Sequence, residues 1–300
     1  MSALCPVNES TTTNTPAGRR PPSHVTVALR SEAHAPLPPG LAIVQVYTDL
    51  RRLFKQVKST GVTINRFQDK ESFGFLDANV RKIIGNYISA GHEDWRRFTG
   101  FNSNHYVRHL IDINEDFELL LLCWEPGQAS RIHNHADAHC WATVLDGVMV
   151  EDRYRIRAED ASYFDADSEE GDSDSDYNDN NQHHNHNHRH HHHPSSAAAA
   201  IEYTAASPLE HVGPNTISTC RPCPPLNITS SVTAGRGQGL YINDAMGLHV
   251  IRADPSCPLP GGVTLHLYSP PITRVQLYDP EQNKIVSRIP GYFSIRGQRT

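Results

Sequence analysis

The chain has 300 residues, 20% of them charged, and a formal net charge of -6. Ten acidic residues and one basic residue fall between Ala158 and Ala200, so the remainder, with 26 basic and 23 acidic residues, is mildly positive. That balance argues against nucleic acid or an anionic membrane surface as the main partner. No apolar run approaches the ~20 residues of a membrane span, and the polar N-terminus has no signal-like apolar segment. The six cysteines are scattered without a regular framework, which points to a reducing, cytoplasmic setting.

Residues 1–40 are rich in Thr, Pro, Ser and Asn, with too few large apolar side chains to offset the entropy of ordering them, and are expected to be a disordered tail. A single domain is expected over 41–300. Its first part, 41–100, reads as a helical prelude. Val44, Tyr47, Leu50, Phe54 and Val57 recur at helical spacing up to a stop at Gly61, and Leu76, Val80, Ile83, Ile84, Tyr87 and Ile88 form a second stripe closed by Gly91. A short third helix is expected from His92 to Phe98. Strands are expected over 101–157 and 239–300, with Phe117 to Trp124 apolar enough to be covered on both faces. Between them, 158–200 is an acidic and histidine-rich low-complexity insertion, with eight histidines from His183 to His193. Residues 201–238 read as an irregular loop. The insertion is expected to be a solvated surface loop, with weak binding of divalent metals by the histidine tract as the sharper reading. Cys220 and Cys223 have redox or zinc-like spacing but no second pair, and read as loop cysteines.

The densest chemistry lies in Gly127, five residues, His133-Asn134-His135, four residues, Cys140, six residues, Gly147. Two histidines two apart on a strand share a face, so both imidazoles can reach one metal ion. The same parity puts Tyr106 with Arg108 on one face and Val107, His109 and Ile111 on the other. Thr264, His266 and Tyr268 likewise share a face opposite Val263, Leu265 and Leu267. Lining one barrel interior, these pairs would make a polar cavity better suited to a site than to a packed core.

The histidine spacing resembles the first motif of the cupin barrels, with Cys140 where a glutamate normally stands. Together with Tyr241-Ile-Asn-Asp-Ala-Met-Gly-Leu-His249, His139-Cys140 and Leu265-His-Leu-Tyr-Ser-Pro-Pro, it resembles the thiol dioxygenases, specifically the cysteine dioxygenase family. The resemblance runs from about Phe101 to the C-terminus with one interruption and covers the helical prelude only loosely. It implies a mainly β fold, a jelly-roll-like cupin barrel with an N-terminal helical segment and a long disordered insertion. It further implies Fe(II) held by His133, His135 and His249, a thioether joining Cys140 to Tyr268, and Arg108 with Tyr106 binding the substrate carboxylate. His266 is expected to hydrogen-bond behind the ligands, near Tyr268, and His139 is left without a role. The implied reaction is oxidation of L-cysteine by O2 to cysteine sulfinate, the first step of cysteine catabolism, by a monomeric cytoplasmic enzyme. Dioxygenases for 3-mercaptopropionate or cysteamine share the metal set, but the arginine at Arg108 speaks against them. A cupin that binds metal without turnover remains the non-enzyme alternative, because three histidines do not by themselves select iron over zinc or nickel.

Overall fold

The computed structural model describes residues 35–64, 70–156 and 220–300. Most of the expected tail, the whole 158–200 insertion and residues 201–219 lie outside the described residues. Two helices open the fold, α1 (Ala42–Ser59) and α2 (Lys70–Ser89), followed by a 3-10 turn at Asp94–Phe98. The third predicted helix is thus this shorter, tighter turn. Asp94 ties the three together. It accepts the Ile43 N–H at the start of α1 (3.0 Å) and the Tyr87 hydroxyl of α2 (2.6 Å), satisfying one of the donors that a helix start leaves unpaired.

The described strands are β1 (Val107–Ile113), β2 (Glu118–Trp124), β3 (Ile132–His133), β4 (His139–Asp146), β5 (Val148–Ile156), β6 (Cys220–Arg221), β7 (Leu226–Gly235), β8 (Gly239–Ile242), β9 (Leu248–Ala253), β10 (Gly262–Ser269), β11 (Val275–Asp279), β12 (Lys284–Arg288), β13 (Ser294–Ile295) and β14 (Gln298–Arg299). They form two seven-stranded sheets, in the orders β14-β13-β1-β2-β10-β4-β8 and β6-β12-β11-β3-β9-β5-β7. The architecture is mainly β and of the cupin type, as expected. No described helix is long and apolar enough to cross a membrane.

The period-2 alternation decides which side of the first sheet each residue serves. Leu119, Leu121 and Cys123 of β2, with Leu265 and Leu267 of β10, join Leu50 and Phe54 of α1 and Leu76 and Val80 of α2 in one buried cluster. Leu120, Leu122 and Trp124 turn the other way, into a second cluster between the sheets with Tyr268, Met149 and Ile251. Thus β2 is buried on both faces, and the helices cover the outer face of the first sheet. Each fully buried Leu here contributes ~1.5–3 kcal/mol.

One sequence expectation needs correction. Residues 201–238 are not an irregular loop throughout, because β7 runs antiparallel to β5 from Val148 opposite Gly235 to Ile156 opposite Leu226. Six of its ten side chains are exposed, so this edge strand is specified by backbone pairing and its Thr and Val content, with little apolar pattern to reveal it. Cys220 also lies in a strand, β6, and Cys223 is buried against Tyr278 and Ile285.

Candidate active site

The second cluster does not close completely. A cavity of about 530 Å³ between the sheets is lined by Tyr106, Arg108, His133, His249, His266 and Tyr268 among others. His135 and Cys140 are buried beside it, at 0% and 1% exposure. All eight site residues named from the sequence therefore gather in one region.

His133 ends β3, where it stands opposite Leu277 of β11 and opposite His249 of β9. The expected strand stops there. His135 lies just beyond it, ahead of a turn in which Ala136 and Asp137 take positive φ of 50° and 63°. Asp244 holds that turn by accepting the N–H of His135 (2.6 Å) and of Asp137 (2.8 Å). The segment leading to His249 makes its own tight turn at Gly247, φ 124°, where an added Cβ would lie 2.4 Å from the Tyr154 carbonyl oxygen. Only glycine fits there.

The ring nitrogens of the three histidines converge, all within 4.8 Å of one another. His133 Nδ1 donates to the Arg131 carbonyl (2.8 Å) and His249 Nδ1 to the buried Glu151 carboxylate (2.8 Å). Those bonds place the protons on Nδ1 and leave two Nε2 lone pairs 3.3 Å apart. Both ring nitrogens of His135 are buried without a hydrogen bond, the Asp244 carboxylate lying 3.8 Å from Nδ1. Burial pushes all three imidazoles down from their ordinary value, with mutual proximity adding to the shift of His135 and His249. Neutral rings with opposed lone pairs and an orphaned nitrogen form a donor set that suits a divalent cation. The Nδ1 bonds to Arg131 and Glu151 are the orienting contacts such a ligand needs.

Cys140 of β4 stands directly opposite Tyr268 of β10 in the antiparallel register. The Tyr268 hydroxyl is 3.0 Å from His266 Nδ1, and Cys140 Sγ is 3.9 Å from the same nitrogen. His266 Nε2 lies 2.9 Å from Thr264 Oγ1, which also accepts the indole N–H of Trp124 (3.0 Å). Burial holds the Cys140 thiol and the Tyr268 phenol well above their ordinary values and brings His266 down to about 3, so all three are neutral. The Tyr268 ring centroid is 6.2 Å from that of His135.

Tyr106 stacks on Trp124, centroids 4.3 Å apart and planes 20° from parallel. Arg108 Nη2 lies 3.5 Å from Glu118 Oε1, while its buried Nε has no partner. His139 points the other way, toward the helices: Nε2 donates to the Ile64 carbonyl (2.9 Å) and Nδ1 is 2.6 Å from the Tyr241 hydroxyl. Sequence reasoning missed Glu118, Glu151 and Asp244. Asp244 stood inside the quoted segment ending at His249, whereas the two glutamates carried no local signal, being single acids in strands.

The family model for "Cysteine dioxygenase type I" matches residues 63–212. A cysteine dioxygenase type 1 from Danio rerio is 38% identical over 73 residues, 24% of this chain and 36% of that protein. The match to the cysteine dioxygenase type 1 of Rattus norvegicus is longer, 24% identical over 232 residues, covering 75% of this chain and 84% of the relative. Among solved structures, an RmlC-like cupin protein from Desulfovibrio desulfuricans aligns over 58% of this chain and 91% of its own, at 14% identity and a TM-score of 0.28. With half of its length matched by that family model, the chain belongs to the cysteine dioxygenase type I family.

Proposed function

We propose that this protein is a cytoplasmic, monomeric dioxygenase that oxidises free L-cysteine with O2 to cysteine sulfinate, RSH + O2 → RSO2H, at ferrous iron held by His133, His135 and His249. The observation that carries this reading is three convergent neutral imidazoles, two of them lining a cavity that the Arg108 guanidinium also lines. When bound, iron supplies the one-electron chemistry that O2 needs to react with a thiolate, and three neutral ligands leave its double charge free to favour that anion.

The remaining work belongs to the chain's own side chains. The Arg108 guanidinium pairs with the substrate carboxylate, and the Tyr106 phenol, fixed against Trp124, flanks it. Glu151 keeps the His249 proton on Nδ1. His266 fixes the direction of the Tyr268 hydroxyl, which would orient the sulfur and oxygen atoms. Leu122, Ile251 and Leu277 line the cavity and exclude water. Holding the thiol, the carboxylate and O2 in one arrangement is the main contribution of the protein. A thioether joining Cys140 to Tyr268 belongs to the same reading.

Metal analysis of anaerobically purified protein, followed by oxygen uptake on adding L-cysteine, tests this. Near-stoichiometric iron and uptake with sulfinate as product are expected, and His133→Ala, His135→Ala or His249→Ala should remove both. Arg108→Ala should lower kcat/KM for L-cysteine by roughly ten- to a few hundredfold, the cost of one charged hydrogen bond. Cysteamine, which lacks the carboxylate, should be a poor substrate and lose little further. Equal support by zinc, or equal oxidation of cysteamine and L-cysteine, would overturn the assignment.

A further inference from the structure

Behind Arg108 lies a carboxylate that the reaction outlined above does not use. Glu118 is the first residue of β2, and its side chain is 0% exposed. Two hydrogen-bond donors, the Ile272 backbone N–H at 3.2 Å and the Tyr292 hydroxyl, converge on it, and Arg108 Nη2 forms an ion pair with it at 3.5 Å. Burial holds the Glu118 carboxyl above its ordinary value, and the Arg108 guanidinium limits that rise. A group met only by donors is served best as the anion. Tyr292 also packs its ring 5.3 Å from the Arg108 guanidinium carbon. Arg108 is therefore held by Glu118 and Tyr292 where it lines the cavity.

Building on the reading of Arg108 as the carboxylate anchor, we propose that Glu118 is a specificity-determining residue. By offsetting the charge of Arg108 while holding its guanidinium, it sets how strongly the site prefers a thiol that carries a carboxylate to one that does not. A substrate carboxylate arriving where Arg108 lines the cavity meets an ion pair of zero net charge, with a second carboxylate already beside the same guanidinium. The two anions repel each other in a dry setting, where charges several ångströms apart still interact strongly. The cavity thus spends part of its arginine's attraction internally, which lowers its affinity for carboxylates without removing the geometry that orients them.

Glu118→Gln tests this, because the amide keeps the size of the side chain and an oxygen for the Ile272 N–H, and its NH2 can donate to the Tyr292 hydroxyl, while the charge is deleted. The KM for L-cysteine should fall by roughly five- to fiftyfold, and that for cysteamine should stay within about twofold. KM does not depend on how much of a preparation is active, so partial folding leaves this comparison intact. Glu118→Asn, neutral and shorter, should move the two constants in the same directions. Calorimetric titration with propionate, which has the carboxylate and no thiol, should show tighter binding to Glu118→Gln by a similar factor. An unchanged ratio of the two KM values, a rise in both, or propionate binding no tighter than in the parent would overturn the proposal. If propionate binding tightens while the parent fails to oxidise L-cysteine, Glu118 retains its role at the anion site and the assigned reaction fails.

Discussion

At the scale of single residues, the site is built from side chains whose partners lie far away in sequence. Cys140 and Tyr268 are 128 positions apart yet opposite each other in the pairing of β4 with β10, which is the geometry a covalent link between them would require. Peptide mass analysis of protein that has turned over should reveal a fraction two hydrogens lighter, located in a Cys140–Tyr268 peptide. Cys140→Ala should lose that species and keep iron with part of the activity, because the imidazoles, not the thiol, converge on the metal position. Complete loss of iron in that variant would make the cysteine a ligand. Removing Arg108 has a second effect that local sequence did not foretell. It strips the buried Glu118 of its cation, a change that costs stability in its own right. The kinetic loss in Arg108→Ala is therefore best read beside an Arg108→Ala/Glu118→Gln pair.

At the scale of elements, the segments that carry the three clustered histidines are aimed by turns and by pairing. Parity correctly sorted Thr264, His266 and Tyr268 from Val263, Leu265 and Leu267, because β10 is flanked by β2 and β4 along its length and cannot slip without exposing a whole face. Parity over-extended β3. His135 reaches the cluster from a turn held by Asp244, whose contacts span more than a hundred residues. Gly247→Ala tests how far the aim of His249 depends on its own turn. A Cβ 2.4 Å from the Tyr154 carbonyl would force β9 away from β5. Denaturant melts should show a loss of about 1–3 kcal/mol, and iron titration should show weaker binding than in the parent. Iron affinity unchanged in a destabilised variant would mean that β9 is placed by its pairing alone.

At the scale of the whole molecule, the strands described before and after residues 157–219 share a sheet. The described chain stops at Ile156 of β5 and resumes at Cys220 of β6, which pairs with β12, and Leu226 of β7 then lies opposite Ile156, so the strands on both sides of the gap belong to one sheet. Long connections add little closure cost. Deleting 159–193 should therefore leave the melting temperature within about 2 °C, a shift of about 0.5–1 kcal/mol, and leave iron content and cysteine oxidation unchanged. It should abolish retention on an immobilised nickel resin. Loss of folding or of oxidation on deletion would show that the tract packs against the barrel.

Periodicity alone determined the two helices and their buried stripes, the double-sided burial of β2, and the shared face of His266 and Tyr268, since each depends on the spacing of side chains along one element. Residue identity, read by resemblance, supplied the histidine set, Cys140 and Arg108. What only the tertiary structure decided was which polar groups meet across elements. The pairing of Glu118 with Arg108 and Tyr292, of Glu151 with His249, and of Asp244 with the turn after His135 leaves no periodic trace. The β7 edge strand escaped notice for a related reason, because its partner is backbone and six of its ten side chains are exposed. Apolar burial repeats with the geometry of the chain, whereas a buried charge is placed by one partner at one distance, and that partner is known only once the chain has folded.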